Sequence, residues 1–365
     1  MVSMITYPHP LDYATGIKYA ITEKKLPIEY SPSAESFIVE EIINFEKMGF
    51  NNERGEYAVL RVMKRNIDTL KAVEVVSRKL GLPSSNILFF GVKDKSATTI
   101  SHFFIKSHLL DKSTLPIEYK GLRVELLGFT RRKPVKGFFL GNKFRVLIRN
   151  ASASIRVELR EIINLINSIG LPSYYGYQRF GVKRYNTHIL GKYILLGRED
   201  LLSSTLLSTI YPREEVEVVV KRLQRNYRDL LYEYQYVSSS INSGVEKLVR
   251  VTRGLLIDAY ASYLYNLALN KIIESTGFSG LSNEIPMPGC PGSITLYGEV
   301  FKSEGVGIVN SSKLPCFYRI GYFIPRGSNV LCSDHDLIYE FELNPGFYAS
   351  IVLREVFKEN LVFRD

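Results

Sequence analysis

Apolar and polar positions alternate over short runs in the first third of the chain, and the period then lengthens. Residues 37–39 with Ile42 and Ile43, and residues 57–62, read as strands. From 66 to 80, Ile67, Leu70, Val73, Val76 and Leu80 fall on one helical face, with Asn66 as the expected N-cap and Gly81 and Pro83 as the stop. Residues 87–90 and 102–105 read as two short strands flanking a polar turn, and 143–149 as another strand. A helix is predicted over 155–169, closed by Gly170 and Pro172. Residues 195–255 read as helical and charged. In 258–274, Tyr260, Tyr263, Leu264 and Leu267 recur at helical spacing. Residues 286–292 are a Pro/Gly loop, 316–323 and 337–343 read as strands, and a last helix begins near Tyr348. Strands and helices without strict βαβ alternation predict an α+β fold.

The chain has 365 residues, which suits two domains or one core with a large insertion. Its 45% hydrophobic and 23% charged content excludes a wholly disordered or fibrous chain. The formal charge is +10, and it is concentrated. Nine Lys/Arg face two acids between 118 and 149, and five face none between 176 and 198. Such basic faces favour an anionic partner, RNA before a membrane surface. No apolar run reaches membrane-spanning length and the first residues lack a secretory pattern, so a cytoplasmic location is expected. Cys290, Cys316 and Cys332 form no CxxC pair and are expected reduced and buried, with no metal site. Trp is absent, so any base stacking falls to Tyr and Phe.

Three segments carry candidate chemistry. In Gly91-Val92-Lys93-Asp94-Lys95-Ser96-Ala97-Thr98-Thr99, Asp94 lies between Lys93 and Lys95, which favour its ionised form. An ionised carboxylate serves as nucleophile, general base or metal ligand; a polar turn with an ion pair is the bland alternative. In Tyr174-Tyr175-Gly176-Tyr177-Gln178-Arg179-Phe180-Gly181, continuing to Arg184, Asn186 and His188, rings interleave with Arg, Gln and Asn as an extruded base requires. In Asn344-Pro345-Gly346-Phe347-Tyr348, leading to Arg354 and Glu355, Tyr348 is a candidate pocket residue and Arg354 a candidate partner of Glu355 or Asp94.

In this order the segments resemble the signature motifs of the TruD family of tRNA pseudouridine synthases. GVKDKSATT is similar to its G-x-K-D-K-x-A-x-T motif, SYYGYQRFGVKRYNTH to its N-Y-F-G-x-Q-R-F-G segment with R-x-N-T-H, and PGFYASIVLRE to G-S-F/Y-A-T-x-x-x-R-E. Ser36-Phe37-Ile38-Val39-Glu40-Glu41 resembles its D-F-x-V-x-E start. The resemblance implies isomerisation of uridine to pseudouridine in tRNA, chiefly at position 13, without cofactor or required metal. It implies a pseudouridine-synthase catalytic domain of mixed and antiparallel sheet from residues 1–194 and 321–365, with an α+β insertion over 195–320, acting as a monomer. Asp94 falls on the essential carboxylate and Tyr175 on the ring that packs on the target base. Lys93, Lys95, Gln178, Arg179, Arg184, Asn186, Tyr348 and Arg354 are the accompanying substrate-binding candidates.

The chain departs from the pattern at Ser173 for Asn, Ser101 for Gln, Ser36 for Asp, and Ser31 for an upstream Lys. These departures keep alternatives in view. One is a non-catalytic tRNA-binding or RNA-chaperone protein on the same fold. Another is a synthase acting elsewhere, such as position 35 of a tRNA. A metal-dependent nuclease has thin support, because no second acid clusters with Asp94.

Overall fold

The computed structural model describes residues 5–91, 93, 97–181, 184–198, 201–202, 205, 241–282, 284–332 and 335–363. Its centre is a nine-stranded sheet: β1 (Phe37–Ile43), β2 (Phe50–Asn51), β3 (Tyr57–Arg65), β4 (Thr98–Lys106), β5 (Ile117–Tyr119), β6 (Leu122–Thr130), β7 (Phe139–Ile148), β8 (Arg326–Cys332) and β9 (Leu337–Leu343). The order is β8-β9-β7-β1-β4-β3-β6-β2, with β5 on β6. The β1–β4 pairing is parallel and the others antiparallel. With the helices α1 (Pro10–Thr15), α2 (Thr69–Leu80), α3 (Ala153–Ile169), α4 (Thr187–Leu196), α5 (Ile241–Thr276), α6 (Ile294–Glu304) and α7 (Ala349–Phe357), the architecture is α+β.

Period-2 alternation decides which face is covered. Phe37, Val39, Glu41 and Ile43 are the buried positions of β1, alternating with half-buried ones. Two helical layers bury this face. The apolar stripe of α2 (Ala72, Val73, Val75, Val76) packs on Leu60, Val62, Phe103 and Val124. The α3 stripe (Ile155, Leu159, Ile162, Ile166) packs with α7 on Phe37, Val39, Phe144 and Phe341. Directly opposed residues point to the same face. The registers Lys64↔Thr99, Val39↔Thr99 and Glu41↔Asn142 therefore place Lys64, Thr99, Glu41 and Asn142 together. They form a polar seam between the two apolar clusters, at the strands where the chain of 91–97 joins β4.

Several local expectations are corrected. The N-cap of α2 is Asp68, whose carboxylate accepts from the Leu70 and Lys71 N–H groups, while Asn66 takes a left-handed φ of 58° before the helix begins. Residues 87–90 form no strand. Leu88 makes one isolated bridge with Phe104, and Phe89 and Phe90 spend their rings against Phe103 and Phe104. The basic stretch holds β6, which the sequence reading did not assign, and β7 begins at Phe139, four residues before the strand expected from 143. Cys290 and Cys316 are joined in a disulfide, and Cys332 is exposed. Their backbones are brought together by pairing that sequence spacing does not reveal: Met287 N–H to Phe317 O (2.9 Å) and Gly289 N–H to Pro315 O (3.2 Å). No helix among the described residues is long and apolar enough to cross a membrane, and no metal-ligand cluster occurs among them.

Arg354 is held by Asp12 rather than paired with Glu355. Its guanidinium, 1% exposed, binds Asp12 from α1 in bidentate fashion at 2.7 and 2.8 Å and donates to the Tyr19 carbonyl at 3.1 Å. The Tyr177 hydroxyl donates to the same Asp12 carboxylate at 2.6 Å. Glu355 instead pairs with Lys358 and accepts from Thr22 N–H. The Arg354 side chain is thus consumed in stapling α7 to the N-terminal segment. Asp12→Ala strands a buried cation and is expected to destabilise the fold by about 3–5 kcal/mol in urea denaturation, with Asp12→Ala/Arg354→Met recovering part of the loss. A midpoint unchanged in Asp12→Ala contradicts this placement.

Candidate active site

Asp94 and Lys95 lie outside the described residues, so the loop is located through Lys93. Its ammonium ion-pairs with Glu41 Oε1 at 3.0 Å and lies 4.7 Å over the Phe139 ring. The other Glu41 oxygen accepts the His102 N–H at 2.8 Å. Burial works against the Glu41 charge, but His102 and Lys93 outweigh it and hold the carboxyl below its usual range. The Lys93 backbone is held as well. Its N–H donates to Thr69 Oγ1 at 2.9 Å, and its carbonyl accepts from Lys64 Nζ at 3.3 Å. Lys93 is thus turned into the seam. Its ammonium is committed to Glu41 and to the Phe139 ring.

The second cluster surrounds Tyr175, which is 6% exposed. Its N–H donates to Asn266 Oδ1 at 2.8 Å, and Asn266 Nδ2 donates back to the Tyr175 carbonyl (3.1 Å) and to the Thr15 carbonyl (2.9 Å). The Tyr265 ring meets it edge-on at 5.5 Å and Tyr348 is tilted at 5.8 Å. The guanidinium carbons of Arg319 and Arg179 stand 4.4 and 5.8 Å from its ring centroid. Arg319 is aimed by two bonds to the Ser173 carbonyl and one to the Gly346 carbonyl. Burial raises the Tyr175 phenol above its usual range, so it is neutral at physiological pH. Gly176 is required here: a Cβ would meet Ser350 Oγ at 2.2 Å and the Tyr348 ring at 3.0 Å.

Sheet register brings the two clusters to one region. Asn142 opposes Glu41 on one side and Leu343 on the other. The chain therefore leaves β9 two strands from Glu41, across β7, and passes through Gly346 to Tyr348. Among the remaining candidates, Gln178 Oε1 accepts from Ser350 Oγ at 2.9 Å, and Arg179 Nε donates to Ser262 at 3.0 Å. Arg184 is buried, and buried Asn186 donates to the Thr205 carbonyl at 3.1 Å. His188 is packed against Tyr263 and Phe180, and burial pushes its pKa down to about 3. Of the first basic stretch, Arg123, Lys143 and Arg145 are spent on Glu125 and Glu340. Arg131, Arg132, Lys133 and Lys136 are exposed, in the β6–β7 connection that leads to Phe139.

Sequence reading missed Glu41, Lys64, Asn266 and Arg319. Glu41 sits at the motif-like Glu of the first strand, but its partner is fifty-two residues away. Alternation alone marks Lys64, a lysine on the buried face of β3. Nothing local distinguishes Asn266 within α5 or Arg319 in its short strand.

The family model of tRNA pseudouridine synthase D (TruD) matches residues 16–281. A protein of Pyrobaculum neutrophilum named a probable tRNA pseudouridine synthase D is 26% identical, with 99% of each chain covered. One of the same name from Thermococcus gammatolerans is 29% identical over 61% of this chain and 57% of its own length. A solved structure from Methanosarcina mazei, described as a putative tRNA pseudouridine synthase D, shares the fold, with a TM-score of 0.68, 22% identity and coverage of 95% of this chain and 97% of that one.

Asn266→Ala leaves the Tyr175 backbone N–H and two carbonyls without their partner. The expected cost is about 1–3 kcal/mol in chemical denaturation. An unaltered midpoint would show that the Asn266 bonds do not set the position of Tyr175.

Proposed function

The chain belongs to the TruD family of tRNA pseudouridine synthases, and on that premise we propose that it isomerises a uridine of tRNA, at position 13, with Asp94 as the catalytic carboxylate and the extruded base held at Tyr175. The observation that carries this reading is the cation-flanked Tyr175 ring beside the seam that anchors Lys93. Lys93, the residue before Asp94, is tethered through both its N–H and its carbonyl. A neutral buried ring bordered by two arginines offers what a flipped base needs: a face for stacking and charge for its phosphate. For the base to lie on Tyr175, Arg319 must give up the ring face; its charge then suits the same nucleotide's phosphate.

The chemistry follows from what isomerisation demands. The uracil leaves C1′, turns, and rejoins through C5. Ionised Asp94 acts at the ribose, by attack at C1′ or by removal of a ribose proton, and both routes fit. The stack at Tyr175 retains the freed base, and the C5 hydrogen is released at the end. No cofactor or metal enters this scheme. The exposed Arg131, Arg132, Lys133 and Lys136 give the tRNA backbone a cationic approach. The return of β8 and β9 to the sheet after α6 supports residues 195–320 as an insertion between catalytic segments 1–194 and 321–365. A tRNA substrate agrees with a cytoplasmic monomer.

Asp94→Asn is expected to abolish tritium release from RNA labelled at uridine C5 and to keep tRNA affinity within a few-fold; turnover by this variant would refute the assignment. Neutralising Arg131, Arg132 and Lys133 together is expected to flatten the log–log salt dependence of tRNA binding by up to about 3, one for each phosphate that these side chains neutralise. An unchanged slope places the RNA elsewhere.

A further inference from the structure

Ser350 lies in the first turn of α7 and is 1% exposed. A hydroxyl hydrogen out of water needs an acceptor. Among the described residues, the acceptor that Ser350 Oγ finds is Gln178 Oε1, at 2.9 Å. Reversing that amide would leave the buried hydrogen unmet, so the bond fixes which end of Gln178 faces Ser350. The NH2 end is directed away from it. Gln178 is exposed, and its NH2 group makes no hydrogen bond among the described residues. The amide belongs to the Tyr175 cluster. At Gly176, the next residue, a Cβ would meet Ser350 Oγ at 2.2 Å and Tyr348 Cβ at 2.8 Å. Tyr348 in turn lies 5.8 Å from the Tyr175 ring. Ser350, with Gln178 bonded to it, and Tyr348 thus pack against the glycine that follows the stacking ring.

We infer that Gln178 selects uracil over cytosine, its NH2 group donating to the C4 carbonyl of the base held at Tyr175, and that Ser350 is the positioning residue that aims the amide. This rests on the reading of Tyr175 as the stacking ring. The two bases differ at C4, where uracil carries an acceptor and cytosine an amino donor. Against cytosine the amide donors and the amino group face one another unpaired, and a site built to donate rejects such a base. The turn of uracil during isomerisation exchanges the places of its C2 and C4 carbonyls. The same donors therefore meet a carbonyl before and after the turn.

The test is single-turnover pseudouridine formation by the full chain on tRNA with uridine at the target position, inhibited by the same tRNA carrying cytidine there. The inhibition constant divided by the half-saturating concentration gives the preference for uracil. The unaltered chain is expected to favour uracil by about tenfold. Gln178→Glu puts an acceptor where the donors were, while its other oxygen still accepts from Ser350. Its preference is expected to fall by about tenfold or more and to turn towards cytosine. The added charge repels both tRNAs alike, so a merely electrostatic or structural loss leaves the ratio where it was. Ser350→Ala lets the amide turn and is expected to lower the ratio by about threefold without reversing it. A variant too slow to turn over is measured by filter-binding competition between the two tRNAs. An unchanged ratio in Gln178→Glu overturns the inference; a ratio that moves there but not in Ser350→Ala removes Ser350 from it. Should circular dichroism show Gln178→Glu unfolded, Ser350→Ala decides alone. Turnover that survives Tyr175→Ala would remove the stacking reading itself; a folded, inactive Tyr175→Ala beside an unmoved Gln178→Glu ratio would remove Gln178 only.

Discussion

A buried ammonium–carboxylate contact, Lys93 to Glu41 at 3.0 Å, fixes where the chain between α2 and β4 meets the sheet. Two apolar clusters bury the same sheet face from either side, and a polar loop has no place inside either of them. The seam of Lys64, Thr99, Glu41 and Asn142 offers charges and hydrogen-bonding groups where a loop otherwise has only hydrocarbon. Isolated buried ions cost more than they return. Here the Glu41 carboxylate is met by Lys93 and by the His102 N–H, and the Lys93 N–H and carbonyl are held by Thr69 and Lys64. The chain at Lys93 is therefore held by the sheet.

The second constraint is the packing of Tyr175. Asn266 binds both its N–H and its carbonyl, Tyr265 and Tyr348 bound the ring laterally, and Arg319 lies over it. The ring is set from α5, from the short strand bearing Arg319 and from the start of α7, three elements far apart in the chain. The Arg354–Asp12 pair secures α7 from beneath, so that Tyr348 at its N-cap stays beside Tyr175. Arg354, a substrate-binding candidate from sequence, is in the fold a buried partner of Asp12.

Much of the architecture was legible because it is local. Alternation in β1 and β3 and the helical stripes of α2 and α3 are written in short windows. Motif order marked the segments around Lys93, Tyr175 and Tyr348. What was hidden is non-local. The disulfide of Cys290 and Cys316 depends on backbone pairing between segments with no periodic signature. The direction of the Lys93 side chain depends on Glu41, and that of Arg354 on Asp12. Residues opposed across strands share a face, which no local window of sequence reveals.

The central claim is that this chain, with Lys93 tied to the seam and Tyr175 flanked by cations, isomerises a uridine of tRNA. Its most direct test is pseudouridine mapping of total tRNA from cells lacking the protein and complemented with either the unaltered chain or Asp94→Asn. The account predicts one pseudouridine, at position 13, that disappears with the protein and returns only with the unaltered chain. A map identical in all three strains would contradict it.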